Sequence, residues 1–270
     1  MIRYLLFFCA FCWASAAATA QTGSPVMGGA RGLGMAGASV VFSDINAAWS
    51  NQAGLAFVEK MSFSAFGEQR FLMTDLGSYA FAAAFPVQKV GTLSLTFQHF
   101  GVQAYNEQKI GLGYARRLGE NFSIGVQFDY LATRIPDYGV SHNFTAEVGL
   151  LYRFSQQFSL AAHIYNPFRV RLSSADPLAT VFRAGFIYSP SKQVSLIGEV
   201  EKDFLYPLGG KIGVEYRPVE RFVVRTGVGT APFRASFGVG VEWSGLLIDF
   251  ATSYHQILGF TPGVDRKSVV

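Results

Sequence analysis

From about residue 61 onward, apolar and polar residues alternate one by one. In Phe122 to Leu131, Phe122, Ile124, Val126, Phe128 and Tyr130 fall on one side and Ser123, Gly125, Gln127 and Asp129 on the other. Successive side chains of a strand point to opposite faces, so this stretch predicts a strand with one apolar and one polar face. The same alternation predicts thirteen strands, over 61–71, 76–85, 91–100, 105–116, 121–133, 142–154, 158–166, 180–189, 194–202, 208–217, 222–230, 235–243 and 245–255. Most have about the 9–11 residues that cross a bilayer when tilted. A fourteenth, at about 261–270, is needed to make the count even.

The connections alternate as well. After even-numbered strands they are tight: PVQKV, RLGE, SQQ, PSKQ, PVER and Ser244. After odd-numbered strands longer loops are expected, among them ATRIPDYGVS, YNPFRVRLSSADPLAT and KDFLYP. Short turns at one rim and longer loops at the other are the habit of a transmembrane barrel. All ten prolines are expected outside strand interiors, where a lost N–H would leave a carbonyl unpaired. Even-numbered strands end on an outward aromatic: Phe85, Tyr114, Tyr152, Tyr188, Tyr216 and Trp243. Such a row is an interfacial girdle.

Ring size decides which face is outside. About eight strands can fill their interior with side chains, but fourteen cannot. The apolar face therefore points to lipid, and the expected architecture is an all-β transmembrane antiparallel barrel of about 14 strands. The polar face then lines a lumen with Asp129, Glu147, His163, Arg183, Glu199, Lys211, Glu215, Arg217, Arg225, Glu242 and Asp249, charges of both signs that are expected to pair. Glycines on the same face (Gly125, Gly149, Gly185, Gly213, Gly227, Gly238, Gly240) predict close approach by another backbone, hence something packed inside.

Composition narrows the chemistry. Half the residues are apolar and 15% are charged. The opening Met1-Ile2-Arg3, the apolar run Tyr4–Trp13 and the small residues ending Ala18-Thr19-Ala20 read as a signal peptide over 1–20, cleaved near Ala20. Both cysteines, Cys9 and Cys12, lie within it, so the mature chain is expected to have no disulfide, thiol nucleophile or cysteine metal site. The four histidines are scattered without ligand spacing. Without Arg3, 21 basic residues stand against 18 acidic ones, too mild and too even for nucleic acid. No G-x-S-x-G, H-E-x-x-H or P-loop pattern occurs. No enzyme activity and no cofactor are expected.

Between signal and barrel, residues 21–60 differ in composition, rich in Gly, Ala, Ser and Asn. Gly32–Gly37, GLGMAG, fits the dinucleotide pattern G-x-G-x-x-G, but no strand precedes it and no βαβ unit follows. The block, with Gly29, Arg31, Gly32, Leu33, Gly34, Met35, Gly37, Asp44, Asn51, Gly54 and Leu55, resembles the N-terminal hatch of FadL-type outer-membrane proteins, and is most similar to the PorV/PorQ-like branch of Bacteroidetes. Gln52 stands where that family usually has proline, and the loops are short for a fatty-acid transporter. The resemblance implies a 14-stranded barrel over 61–270 with residues 21–60 as a hatch in its lumen, in the bacterial outer membrane, in contact with bilayer and lipopolysaccharide. It implies a partner of the secretion machinery or a scaffold, with Phe168, Arg169 and Arg171 as a candidate partner loop. The alternative it offers is a FadL-type transporter of hydrophobic small molecules, with lining residues from Met27 to Phe42.

Overall fold

In the computed structural model, the described residues are 28–136, 138–171, 177–243 and 245–269. The expected signal peptide, Met27 and the first residues of the expected hatch lie outside them.

Fourteen antiparallel strands form a closed barrel, each beside its neighbour in sequence, with β1 paired to β14. They are β1 (Ser62–Gln69), β2 (Gly77–Val87), β3 (Gly91–Val102), β4 (Tyr105–Leu118), β5 (Phe122–Ile135), β6 (Gly139–Arg153), β7 (Phe158–Tyr165), β8 (Val181–Tyr188), β9 (Val194–Asp203), β10 (Gly209–Val219), β11 (Phe222–Gly229), β12 (Arg234–Trp243), β13 (Leu246–His255) and β14 (Gly259–Val269). Closure leaves no strand edge unpaired, which a hydrocarbon environment demands. All thirteen strands of the alternating pattern are present, and so is the fourteenth.

The faces sort as the alternation requires. Phe81, Leu95, Leu112, Phe128, Leu160, Phe186, Ile212, Phe237 and Phe250 project outward and exposed, while Thr96, Gln127, Asp129, Glu147, Arg183, Arg225 and Asp249 are buried within. A continuous apolar outer band of this kind is the surface that lipid would cover. The aromatics at the turn rim also point out. Tyr114 there donates from its hydroxyl to the Val90 carbonyl at 2.6 Å.

Two expectations are corrected. The loop expected over ATRIPDYGVS is mostly strand: Thr133 pairs with Ser141 and Ile135 with Gly139. β3 and β4 are likewise joined by only residues 103 and 104. Loop length thus fails to separate the rims at these two hairpins, because pairing continues wherever side chains still alternate. The other correction is to the prolines. Pro86, Pro218 and Pro262 lie within β2, β10 and β14. Each sits where a missing N–H does little harm. Pairing of β2 with β1 has ended at Ala84. The β10–β11 register shifts between Tyr216 and Val219, and β9 pairing stops at Tyr216. Pairing of β14 with β1 ends at Gly263. These are edge positions inside a closed barrel.

Candidate functional site

Residues 28–58 occupy the lumen. They form a short helix α1 (Gly29–Leu33) and two 3-10 turns, Ile45–Trp49 and Gln52–Phe57. Each 3-10 turn is started by a side chain that accepts a backbone N–H: Asp44 from Asn46 at 3.0 Å, and Asn51 from Ala53 at 3.1 Å. α1 packs on β12–β14, the first 3-10 turn on β1–β3 and the second on β4–β6. Met35, Val40, Phe42, Ile45, Trp49 and Leu55 form the hatch's own apolar core, joined to Phe66, Leu151 and Ile197 of the wall.

The glycines explain the close fit. A Cβ on Gly125 would collide with the backbone of Gln52 and Ala53, and one on Gly149 with the Asn51 side chain. On Gly227 it would lie 2.5 Å from the Met35 carbonyl carbon, and on Gly213 2.6 Å from Met35 Cβ. In the GLGMAG stretch, Gly34 meets the Gly238 backbone at 3.2 Å from its would-be Cβ. Gly37 has φ +84°, a left-handed turn that favours glycine. These glycines serve packing against a wall.

Charges hold the hatch from several sides. Arg31 bonds Glu215 of β10 at 3.0 Å and Asp44 at 2.9 Å, and stacks on Phe42 at 4.3 Å. Burial opposes the Arg31 charge, yet Glu215 and Asp44 outweigh it and raise its pKa. Burial likewise opposes the Asp44 charge, but Lys267 and Arg31 hold its carboxyl below the usual range. Arg225 joins Glu215 at 2.7 Å to Asp249 at 2.6 Å, and Lys267 sits 3.3 Å from Asp249. Glu199 accepts the backbone N–H groups of Ser39 at 2.7 Å and Val40 at 2.8 Å, and pairs with Lys211 at 3.0 Å. Asp265 accepts from Ser64 at 2.7 Å and Asn46 at 3.1 Å.

On the opposite wall, Glu147 takes the Lys109 ammonium and the His163 Nε2 at 2.9 Å. It also accepts from the Gln52 side-chain amide at 2.8 Å. The residue that departs from the family's proline thus ties hatch to wall. Arg183 donates to the Ser50 carbonyl at 2.5 Å and to His163 Nδ1 at 3.2 Å, which makes Nε2 the protonated nitrogen facing Glu147.

The expected lumen charges Asp129, Glu147, Arg183, Lys211, Glu215, Arg225 and Asp249 are thus all buried inside. Glu242 is corrected: it keeps the inward parity of β12, but at the open turn rim, half exposed and only 3.8 Å from Arg217. Among the described residues its ion pair is with Arg217 and not with the hatch. Lys109, Asp265 and Lys267 belong to the network without having been singled out. Alternation along Glu107-Lys109-Gly111 marks the first. The other two required the fourteenth strand. In the loop after β7, Phe168 is exposed, Arg169 stacks over Phe204 at 4.9 Å, and Arg171 bridges to Pro177. Among the described residues no cluster of metal-binding side chains occurs.

A groove of about 850 Å³ indents the outer face across β6–β11. Its lining is almost wholly apolar, with small residues Ala162, Ala184, Gly185 and Gly198 at its floor and Phe186, Leu160, Ile212 and Phe233 around them. Leu151, Ala161, Glu199 and Lys211, whose side chains face the lumen, border it as well.

No known family profile matches the chain, and no curated protein matches it. Solved structures do share the fold. One described as "CymD monoaromatic hydrocarbon channel" has a TM-score of 0.68 at 13% identity, with 93% of this chain and 99% of that chain covered. The Ralstonia pickettii toluene transporter TbuX has a TM-score of 0.64 at 12% identity, covering 88% and 96%. A Pseudomonas aeruginosa FadL homologue has 0.59 at 12% identity, covering 88% and 96%. At such identities the likeness is one of fold: the closed 14-stranded barrel of outer-membrane hydrocarbon transporters.

Proposed function

We propose that this chain is an outer-membrane barrel that moves hydrophobic small molecules, and that they bind in the apolar groove on its outer face. The outer groove carries this reading. It is apolar, it is of ligand size, and it lies where lipid would meet the barrel, over a floor of small residues. The axial route is closed by a hatch that Glu147, Glu199, Glu215 and Asp265 each bind. Apart from the hatch's own apolar core, the lumen is lined by polar and charged side chains, which suit a hydrocarbon poorly. Structures described as hydrocarbon channels and toluene transporters share the fold, which makes this reading stronger than that of a secretion partner.

The test is uptake of labelled toluene by cells whose outer membrane carries the protein, against cells without it. Expected is faster uptake, returned to background by Ala184→Trp, which fills the groove floor from outside. Equal uptake with and without the protein would sink the reading.

The secretion-partner reading retains one observation in its favour. Loop tips expose Leu72, Tyr138, Phe168, Leu205 and Ile257, which is an unusual concentration of apolar tips. Recovery of a stoichiometric protein partner with the native barrel, lost on Phe168→Ser, would support it.

A further inference from the structure

Phe57, the last residue of the second 3-10 turn, lies at the turn rim within reach of two guanidinium groups. Arg153 at the end of β6 sits 3.4 Å from its ring centre, and Arg117 near the end of β4 sits 5.6 Å away. Both arginines keep the inward parity of their strands: Arg153 pairs opposite Ser159 and Arg117 opposite Ser123. Among the described residues neither has a carboxylate within 4 Å, in contrast to the paired cations deeper in the lumen. Stacking engages the flat face of a guanidinium and leaves its in-plane N–H donors unspent. Two like charges thus share one aromatic ring at the mouth of the barrel.

A second observation adjoins them. A cleft of about 630 Å³ opens at this rim between the hatch and strands β5–β8, and Arg153 is part of its wall. Ser43, Asn121, Gln157 and Ser159 bring hydroxyl and amide groups to it, while Val41, Leu151 and Ile187 make an apolar patch. Glu120 stands in the lining as well, without an ion pair to Arg153. Volume of this order accommodates a small ligand. An arginine fork beside hydroxyls and amides suits a phosphate oxyanion on a small polar body.

We infer that this rim cleft is a binding site for a phosphate group on a glycerol-like or sugar-like body, with Arg153 in its wall as the anion ligand and Arg117, across the Phe57 ring contact, adding positive charge beside it. Two sources carry that chemistry: the headgroup of a bilayer phospholipid and a soluble phosphate ester. The site is separate from the outer groove and does not depend on transport.

The test uses full-length mature protein in phosphatidylcholine nanodiscs, with glycerol 3-phosphate as the soluble probe, followed by calorimetry. Native mass spectrometry of protein in discs containing phosphatidylglycerol probes the lipid source. Expected is saturable binding of one probe, weakened at least about ten-fold by the double variant Arg117→Gln/Arg153→Gln and weakened by salt, as for a charge-assisted contact. Binding of glycerol 3-phosphate identifies a soluble ester. Retention of phosphatidylglycerol alone, one molecule per barrel, identifies a headgroup. If the double variant fails to fold, the single variant Arg153→Gln decides. No binding of either probe, or binding that the variants leave unchanged, overturns the inference, whatever toluene uptake shows.

Discussion

Gly227 of β11 gives the sharpest test of how the hatch is seated. A methyl group there would lie 2.5 Å from the Met35 carbonyl carbon, 2.7 Å from its Cα and 2.8 Å from the Ala36 nitrogen. Carbon atoms rest about 3.5–4.0 Å apart, so the overlap is about 1 Å, and it is with main chain that no rotamer change can move. Gly227→Ala therefore forces hatch or wall to shift, and overpacking of this kind costs about 1–3 kcal/mol. Because the hatch is held mainly by polar contacts, that cost falls on the seated state. It multiplies the population of the unseated hatch by about 5 to 150. Gly210→Ala is the control: its methyl would meet only Thr230 Oγ1, at 3.8 Å. The assay is ion conductance across a planar bilayer together with protease cleavage within residues 28–58. Gly227→Ala should conduct more and be cut faster than wild type, while Gly210→Ala should match wild type. If the two variants behave alike, the hatch is not seated against β11 and the packing argument fails.

Glu215→Gln would leave Arg31 and Arg225 buried beside a neutral amide. Breaking a buried pair from one side costs about 3–5 kcal/mol, so loss of heat resistance on folding-sensitive gels should exceed that of the rim variant Glu242→Gln. Asp44 supplies a pH dependence. Its folded pKa is lowered, so its stabilising contribution is present above the unfolded value of about 3.8 and is lost as pH falls below it. Conductance should thus rise on acidification in wild type, and Asp44→Asn should show part of that rise already at neutral pH. A variant with the wild-type acid profile would remove Asp44 from the latch.

Much of this could be read from alternation, because a strand that faces lipid on one side and a polar interior on the other must write both faces into its sequence. Phe122-Ser123-Ile124 is as legible as any helix repeat. β14 was harder: Thr261, Gly263, Asp265 and Lys267 point inward, but Pro262, Arg266 and Ser268 break the apolar outer face. The stretch 132–141 reads as a loop because Pro136 and Gly139 punctuate it, yet the hairpin simply turns there. Within the hatch, the glycines announced close packing, but which wall each one meets depends on how the chain crosses the lumen. Gln52 reaches Glu147 from 95 residues away. The outer groove leaves almost no trace in sequence: Ala162, Ala184 and Gly198 lie on three strands and become one floor only after pairing.

The pairing of β1 with β14 joins residues some 200 positions apart, the last link in the ring. Asp265 sits at that seam. Its two oxygens take Ser64 from the first strand and Asn46 from the segment that precedes it. α1 rests on strands from the end of the chain and the first 3-10 turn on strands from its beginning, so the hatch bridges the join from within. A stopper made by the residues just ahead of the first strand is thus also the mould around which the two ends of the barrel meet. A barrel built without it would have to find its closing register unaided.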